Sequence, residues 1–162
     1  MSEREGRMEP KIVSKEAFSV VGISIRAHID KHDIPQLWAQ LGSRVREIPH
    51  LVQPGVAYGL STSFDPETGE FEYVAGFGVE QVEDLPEGMG SWDVPAATYA
   101  AFTCTLPTMP EAYKYAYETW LPESGYQRAH AYEFELYDEA FDNQNPDSEF
   151  AFYIPIVPSQ AG

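Results

Sequence analysis

The hydrophobic pattern of the first half changes from strand-like to helix-like and back to strand-like. Residues 11–27 are predicted to be extended, because residues 18–26 among them are rich in β-branched side chains that partly alternate with polar ones. Apolar residues then recur at helical spacing from Ile34 to Ile48, which predicts one face of a helix. Asp33 fits the N-cap of this helix and Pro35 fits its first turn.

Two further predicted strands complete this half. Residues 56–64 and 71–80 carry strand patterns, and residues 65–69 have the turn sequence Asp-Pro-Glu-Thr-Gly. Because this composition is typical of turns, we expect the two strands to form a hairpin. Residues 83–91 are predicted to be a loop. The first half therefore has the predicted order β-α-β-β.

The second half repeats that order. Residues 97–105 predict a strand. Thr108-Met-Pro-Glu111 is a capping box with proline in the first turn, and it predicts the start of a second helix. Residues 132–138 and 150–157 are the last two predicted strands.

The two halves superpose at a single offset. A shift of 75 residues places Trp38 on Tyr113 and Phe77 on Phe152, and it aligns the two helix starts. Such self-similarity indicates a duplicated unit. We therefore predict an α+β fold of duplicated β-α-β-β units related by a pseudo-twofold, with antiparallel sheets, two main helices and a ligand groove between the halves. The predicted organisation is a disordered tail over residues 1–10 and a single domain over residues 11–158, with repeats at about 11–82 and 92–158.

The composition is that of a folded protein outside the membrane. Of the 162 residues, 43% are hydrophobic and 14% are aromatic, enough for one domain with a substantial core. No apolar run approaches the roughly 20 residues of a membrane span. The polar start does not resemble a secretory signal, so we expect a cytoplasmic location and no membrane partner. Cys104 is the only cysteine, which excludes an intrachain disulfide and favours a buried thiol.

Charge is distributed unevenly along the chain. The net charge is −16, yet residues 1–46 hold eight bases against six acids, whereas residues 47–162 hold 20 acids against two bases. This balance does not supply a basic stripe for phosphates, so direct nucleic-acid binding is not expected. An acidic surface attracts cationic small molecules or basic protein patches. Acidity that serves only solubility is the open alternative.

The sequence carries no strong catalytic or metal-binding signature. It has no glycine-rich phosphate loop, no Gly-x-Ser-x-Gly and no His-Glu-x-x-His. His28 and His32 are four residues apart, but they fall at a strand end and turn, with no acidic ligand obviously paired to them. We therefore predict no metal and no cofactor.

The strand predicted over residues 132–138 is the most informative segment. Successive side chains of a strand point to opposite faces, so Phe134 and Leu136 are predicted to face a core. The other face then carries Glu133, Glu135 and Tyr137. An alternating antiparallel strand with one solvated face explains this pattern. The second interpretation is a groove in which a carboxylate lies beside aromatic rings, an arrangement that selects a lipophilic cation.

The remaining candidates are aromatic. Trp38, Trp120 and Tyr117 lie on predicted helical faces, where core packing is the usual role, and Tyr58 and Tyr153 lie in predicted strands. Because a buried tyrosine hydroxyl needs a partner, a cluster of tyrosines favours a partly polar pocket over a dry core. The predicted ligand-binding set is Glu135, Tyr137, Trp120, Tyr58, Tyr153, Tyr117 and Trp38.

Four motifs of the second half, at residues 94–103, 109–126, 134–137 and 154–156, occur in an order that resembles the GyrI-like small-molecule-binding domain. This is the effector-binding domain found alone or fused to AraC- and MerR-type activators. The resemblance extends over roughly residues 10–158. It implies the duplicated fold, a groove between the halves, and a ligand contact by an acidic residue at the position of Glu135.

The resemblance leaves three functions open. We favour a stand-alone binding protein for lipophilic, aromatic, cationic drugs or xenobiotics over an enzyme. The second is hydrolysis of reactive cyclopropane-type electrophiles in the same groove, with Glu135 as general base or acid. The third is gyrase modulation, with a regulatory protein as partner. Only about ten polar residues precede the first predicted strand, so we expect no helix-turn-helix and no DNA-binding activity.

Overall fold

The computed structural model describes residues 9–28, 34–52, 56–65, 67–129, 131–138, 141–142 and 144–159. Within these ranges the strands are β1 (Lys11–Lys15), β2 (Phe18–His28), β3 (Ala57–Asp65), β4 (Glu70–Val79), β5 (Gly90–Val94), β6 (Ala97–Thr105), β7 (Tyr126–Arg128), β8 (Glu133–Tyr137) and β9 (Glu149–Pro158). The helices are α1 (Ile34–Gly42), α2 (Met109–Lys114) and α3 (Leu121–Ser124), with a 3₁₀ turn at Val45–Glu47 and a π-helical turn at Tyr115–Trp120. The predicted N-cap Asp33 and the first eight residues of the predicted tail lie outside the described residues.

The described strands form one antiparallel sheet in the order β1-β6-β9-β8-β3-β4-β2-β5, with β7 paired to β9. This order is symmetric about the central pair β8–β3. The two short leading strands are exchanged between the halves, because β1 pairs with β6 and β5 pairs with β2. The predicted α+β class, with an antiparallel sheet and two main helical segments, is confirmed.

The helical segments differ in detail from the prediction. α1 ends at Gly42 rather than near Ile48, because glycine is a weak helix former. The 3₁₀ turn then carries the apolar face onward to Ile48, which is buried. The second segment ends at Gly125, whose φ of 82° is left-handed. None of the described helices is long and apolar enough to cross a membrane.

Two short strands are absent from the prediction. β5 begins at Gly90, inside the region expected to be a loop, and β7 occupies Tyr126–Arg128 directly after the second helical segment. A strand of three to five residues shows too few alternations to be recognised from its own pattern. Each is recognisable only from the longer strand that it pairs with.

One face of the sheet, which we call the helix face, packs against the helices in two separate cores. α1 places Leu37 and Leu41 against Val21 and Phe77 of the first half. In the second half, α2 and the π-helical turn place Ala112 and Ala116 in a core with Phe102, Phe152 and Ile154, all buried. The central strands β3 and β8 therefore run between two helix-covered flanks.

The opposite face, which we call the inner face, forms a third core from Val20, Leu60, Val74, Val94, Tyr99 and Phe134. The rings of Phe18 on β2 and Phe134 on β8 have centroids 5.6 Å apart, although two strands separate β2 from β8. Strands this far apart would be roughly 14 Å distant in a flat sheet. The sheet is therefore strongly bent, and its inner face packs against itself.

Candidate functional site

The candidate site lies on the helix face at the central pair of strands. Glu135 of β8 is paired directly with Gly59 of β3, so the two share one face at the centre of the sheet. Alternation along β8 places Glu133 and Tyr137 on that face and Phe134 on the other, as the sequence predicts. The carboxylates therefore lie where the two halves meet.

Two tyrosine hydroxyls donate hydrogen bonds to the carboxylate of Glu135. The Tyr73 hydroxyl is 2.9 Å and the Tyr137 hydroxyl 2.7 Å from the same oxygen, Oε1. Trp38 Nε1 in turn donates to the Tyr73 hydroxyl at 3.0 Å, which links α1 through β4 to β8. Within the described ranges both of these hydrogen bonds go to Oε1, and no side chain is found donating to the second oxygen, Oε2.

Burial controls the ionisation of these groups. It raises the pKa of Glu135, while the hydrogen bonds from Tyr137 and Tyr73 act in the opposite direction and the nearby charge of Glu133 adds to the rise. Burial, reinforced by the Glu135 charge, also raises the pKa of both tyrosines above the ordinary value. Tyr73 and Tyr137 therefore remain neutral donors at neutral pH.

Glu133 is a second acid on the same face, and its side chain is 13% exposed. Its Oε2 accepts a hydrogen bond from the Tyr117 hydroxyl at 2.6 Å and lies 3.5 Å from Arg128 Nη2. Burial raises the pKa of Glu133, against the hydrogen bond from Tyr117 and the Arg128 charge, which lower it. Among the described residues Glu133 therefore has a basic partner and Glu135 has none.

Aromatic rings surround Glu135 on the helix face. Trp38 meets Tyr137 edge to face at 5.6 Å and Tyr73 at 6.3 Å, so a ring from α1 contacts β8 and β4, the strands on either side of β3. Tyr137 also stacks on Phe150 at 4.7 Å. Aromatic rings of this kind present faces of negative potential, to which positively charged groups are attracted in general.

Gly59 is a site residue that the sequence analysis does not identify. A Cβ atom at this position would overlap the Tyr73 hydroxyl and would lie 2.9 Å from Glu135 Oε1. Only glycine leaves room for the hydrogen bond between them. The available signal was glycine in the interior of a strand, which often marks a close approach by another group.

The structure brings together four of the seven predicted residues and separates the other three. Glu135, Tyr137, Trp38 and Tyr117 lie on the helix face, on or beside the central strands. Trp120 is on the same side, but it packs against Phe102 at 5.5 Å and Tyr126 at 6.2 Å in the core of the second half.

Tyr58 and Tyr153 lie on the inner face, which corrects the expectation that they share a groove with Glu135. Tyr58 is paired with Leu136, one residue out of phase with Glu135, and its ring lies 5.0 Å from that of Phe18. Tyr153 stacks on Phe134 at 4.7 Å. The pleat of the sheet therefore separates both rings from the acid.

The inner-face rings already hold a cation of the protein itself. Lys15 Nζ lies 5.6 Å from the ring centroid of Phe18, 5.9 Å from that of Phe134 and 5.5 Å from that of Tyr153. These distances are within the range of cation–π attraction. Burial lowers the pKa of Lys15.

Of two other candidates from the sequence, the structure describes Cys104 but not the complete His28–His32 pair. Cys104 is buried, as predicted, and burial raises the pKa of its thiol to about 12, so it is an unreactive core residue at neutral pH. The proposed His28–His32 pair includes His32, which lies outside the described residues.

Comparisons with known proteins identify the family to which the chain belongs. A family model described as integron-associated effector binding protein matches residues 11–156. The transcriptional regulator BrlR of Pseudomonas aeruginosa (strain PAO1) is 38% identical over 152 residues, which are 92% of this chain and 56% of the regulator. The chain thus spans about half the length of this curated relative.

Solved structures share the fold. The C-terminal domain of EcmrR superposes with a TM-score of 0.73 at 14% identity, covering 93% of this chain and 98% of that chain. SAV2435 bound to tetraphenylphosphonium superposes with a TM-score of 0.72 at 12% identity, covering 92% and 94%. The resemblance to an effector-binding domain is confirmed. Because the family model matches nearly the whole chain, the protein belongs to the family of integron-associated effector-binding proteins.

Proposed function

We propose that the protein binds lipophilic aromatic cations on the helix face, with Glu135 as the counter-ion. The observation that carries the proposal is the Tyr73–Glu135–Tyr137 arrangement, in which two hydroxyls hold one carboxylate oxygen. No base in the described part of the chain forms an ion pair with Glu135. A buried acid without a basic partner is costly, and an incoming cation offsets that cost.

The surroundings of Glu135 favour a large organic cation. Trp38 and Tyr137, which are only partly buried, offer ring faces and edges, and each ring face adds attraction for a positive charge. A strongly hydrated ion such as Na⁺ would lose its water shell for few oxygen ligands. Tetraphenylphosphonium, the ligand in the SAV2435 structure, combines delocalised charge with aromatic surface and is a suitable probe.

Isothermal titration of the purified protein with tetraphenylphosphonium tests the proposal. Glu135→Gln keeps the shape of the side chain and removes its charge, so we expect affinity to fall at least about tenfold, as for loss of one partner of a buried charge pair. Glu118→Gln removes an equal charge from an exposed helical position and should leave affinity nearly unchanged. Tetraphenylborate, with the same rings and opposite charge, should not bind. Equal affinity of wild type and Glu135→Gln would refute the role of Glu135.

The pH dependence of binding follows from the raised pKa of Glu135. Protonation makes the acid neutral and removes its attraction for a cation, so affinity should fall as pH decreases through a value above the usual 4.3 or so of glutamate. Titrations at a series of pH values measure this midpoint. In Glu135→Gln the dependence should be reduced to the smaller contribution of Glu133. A wild-type midpoint at or below the ordinary value would contradict the burial argument.

No contact among the described residues favours the hydrolase or gyrase alternatives, and both stay predictions. The expected absence of nucleic-acid binding also stays a prediction.

A further inference from the structure

We propose that Arg128 sets the charge of the ligand site, neutralising one of its two acids so that the site accepts ligands with a single positive charge. This inference rests on the proposed function and deepens it. It makes Arg128 a specificity-determining residue, one that the sequence analysis does not identify.

The two acids are close enough to act on one ligand. Glu133 and Glu135 are two residues apart on one face of β8, roughly 7 Å along the strand. The charge of Glu133 contributes to the raised pKa of Glu135, so the two carboxylates interact. With both acids unpaired the site would carry two negative charges and would favour a dication with matching spacing.

Arg128 removes one of those charges. After residue 46 the only bases in the sequence are Lys114 and Arg128. Lys114 is exposed on α2, whereas Arg128 Nη2 lies 3.5 Å from Glu133 Oε2. With Glu133 paired, Glu135 remains as the acid without a described basic partner, and the net charge of the three groups is that of one carboxylate.

The backbone holds Arg128 in this position. Its Nη1 donates to the carbonyl of Ala129 at 3.1 Å and its Nη2 donates to the carbonyl of Ala131 at 3.4 Å. Both carbonyls lie in the segment that connects β7 to β8, so the guanidinium is anchored beside the start of the strand that carries the acids. A fixed cation is a better discriminator than a mobile one, because a ligand cannot simply displace it.

The pairing also protects the site from a wrong ligand. A dication entering beside Glu135 would place its second charge near Glu133 and therefore near Arg128. Repulsion between like charges in a partly buried site is a common means of rejecting a competing ligand. The same repulsion is weak for a monocation bound next to Glu135, which is farther from the guanidinium along β8.

The experiment compares two ligands and four proteins at pH 8. The ligands are tetraphenylphosphonium and a dication made of two triphenylphosphonium groups joined by a short alkyl chain. The proteins are wild type, Arg128→Gln, Arg128→Lys and the double variant Arg128→Gln/Glu133→Gln. The readout is the ratio of the two dissociation constants.

We expect Arg128→Gln to shift this ratio toward the dication by about tenfold or more, the equivalent of roughly 1.4 kcal/mol. Arg128→Lys keeps the charge and should stay near the wild-type ratio. The double variant again has one negative charge and should return to a preference for the monocation. Carboxyl NMR provides a second readout, since the pKa of Glu133 should rise in Arg128→Gln.

The outcomes separate this inference from the proposed function. If wild type fails to bind tetraphenylphosphonium, both are refuted. If wild type binds it in a Glu135-dependent way and Arg128→Gln leaves the ratio unchanged, only the role of Arg128 is refuted. Should Arg128→Gln fail to fold, Glu133→Gln alone decides the matter. That variant leaves the Arg128 charge uncompensated and should weaken tetraphenylphosphonium binding several-fold, whereas an unchanged affinity would overturn the inference.

Discussion

On the inner face of the sheet the ammonium of Lys15 lies over three aromatic rings, whereas on the helix face the carboxylate of Glu135 is held by tyrosine hydroxyls. Both faces are rich in rings, and adjacent residues of β8 serve the two environments. The inner face uses its rings to pack and to hold a cation of the chain itself. The helix face holds an acid that no described base neutralises.

The comparison shows that aromatic content alone does not distinguish the candidate site from the opposite face of the sheet. Phe134, Tyr99 and Leu60 on the inner face are almost fully buried and touch one another. On the helix face, polar atoms of Glu135, Tyr73 and Trp38 form a connected chain of hydrogen bonds. Polar groups placed in this way fix the orientation of a ligand in binding sites generally.

Neighbouring substitutions in β8 give the strongest test of this contrast. Phe134→Ala removes a core ring that contacts Phe18, Tyr58, Tyr99 and Tyr153, and we expect it to lower the free energy of unfolding by about 3–5 kcal/mol. Urea denaturation followed by circular dichroism measures the loss.

Glu135→Gln, the adjacent change, is the matched control for that experiment. Burial raises the pKa of Glu135, so the acid stabilises the folded state when protonated and loses that contribution as pH rises through its folded value. Above that pH the neutral amide should therefore be no less stable than the wild type. A similar loss of stability in both variants would contradict the division of roles between the two faces.

A substitution at Gly59 sharpens the comparison by disturbing the helix face without removing any polar atom. Gly59→Ala forces a methyl group against the Tyr73 hydroxyl and Glu135, which we expect to cost about 1–3 kcal/mol of stability. It should also weaken tetraphenylphosphonium binding. Thermal unfolding and titration calorimetry measure the two effects.

Gly42→Ala is the control for Gly59→Ala, because open space surrounds the new methyl group at the end of α1. Its stability should be unchanged or raised by up to about 1 kcal/mol, since alanine favours the helix. If both glycine variants behaved alike, crowding between Tyr73 and Glu135 would not explain the need for glycine.

The smallest expected effect concerns the cation on the inner face. Lys15→Met keeps much of the apolar stem and removes the ammonium, so it should cost about 0.5–1 kcal/mol through lost cation–π attraction. Lys11→Met, at an exposed position of the same strand, should cost less. Neither should change the affinity for tetraphenylphosphonium. A change in affinity for Lys15→Met would show that the two faces are coupled.

Local pattern predicted much of the fold because the long strands and helices carry their own periodicity. The strand predicted at 97–105 agrees with β6, and alternation separated Phe134 from Glu135 correctly. The exchanged strand β5 was not predicted, since its position depends on β2, which precedes it by about seventy residues.

The site was less predictable than the fold because it depends on contacts between distant strands. Tyr153 lies between Phe152 and Ile154, both buried, so alternation alone does not show which face its ring occupies. Tyr73 reaches Glu135 only through the register of β3 with both of its neighbours. Pairing registers of this kind are not visible in the pattern of a single strand.

Because β1 and β5 are exchanged, the stability of each half depends on the other half being folded. Because β1 completes the sheet edge of the second half and β5 that of the first, neither half retains all its ladder hydrogen bonds when the other melts. Unfolding should accordingly occur as one cooperative event across the whole chain. A polypeptide severed between Val79 and Gly90 would yield two fragments, each with an unpaired strand complementary to the other, and mixing them should reconstitute the native sheet.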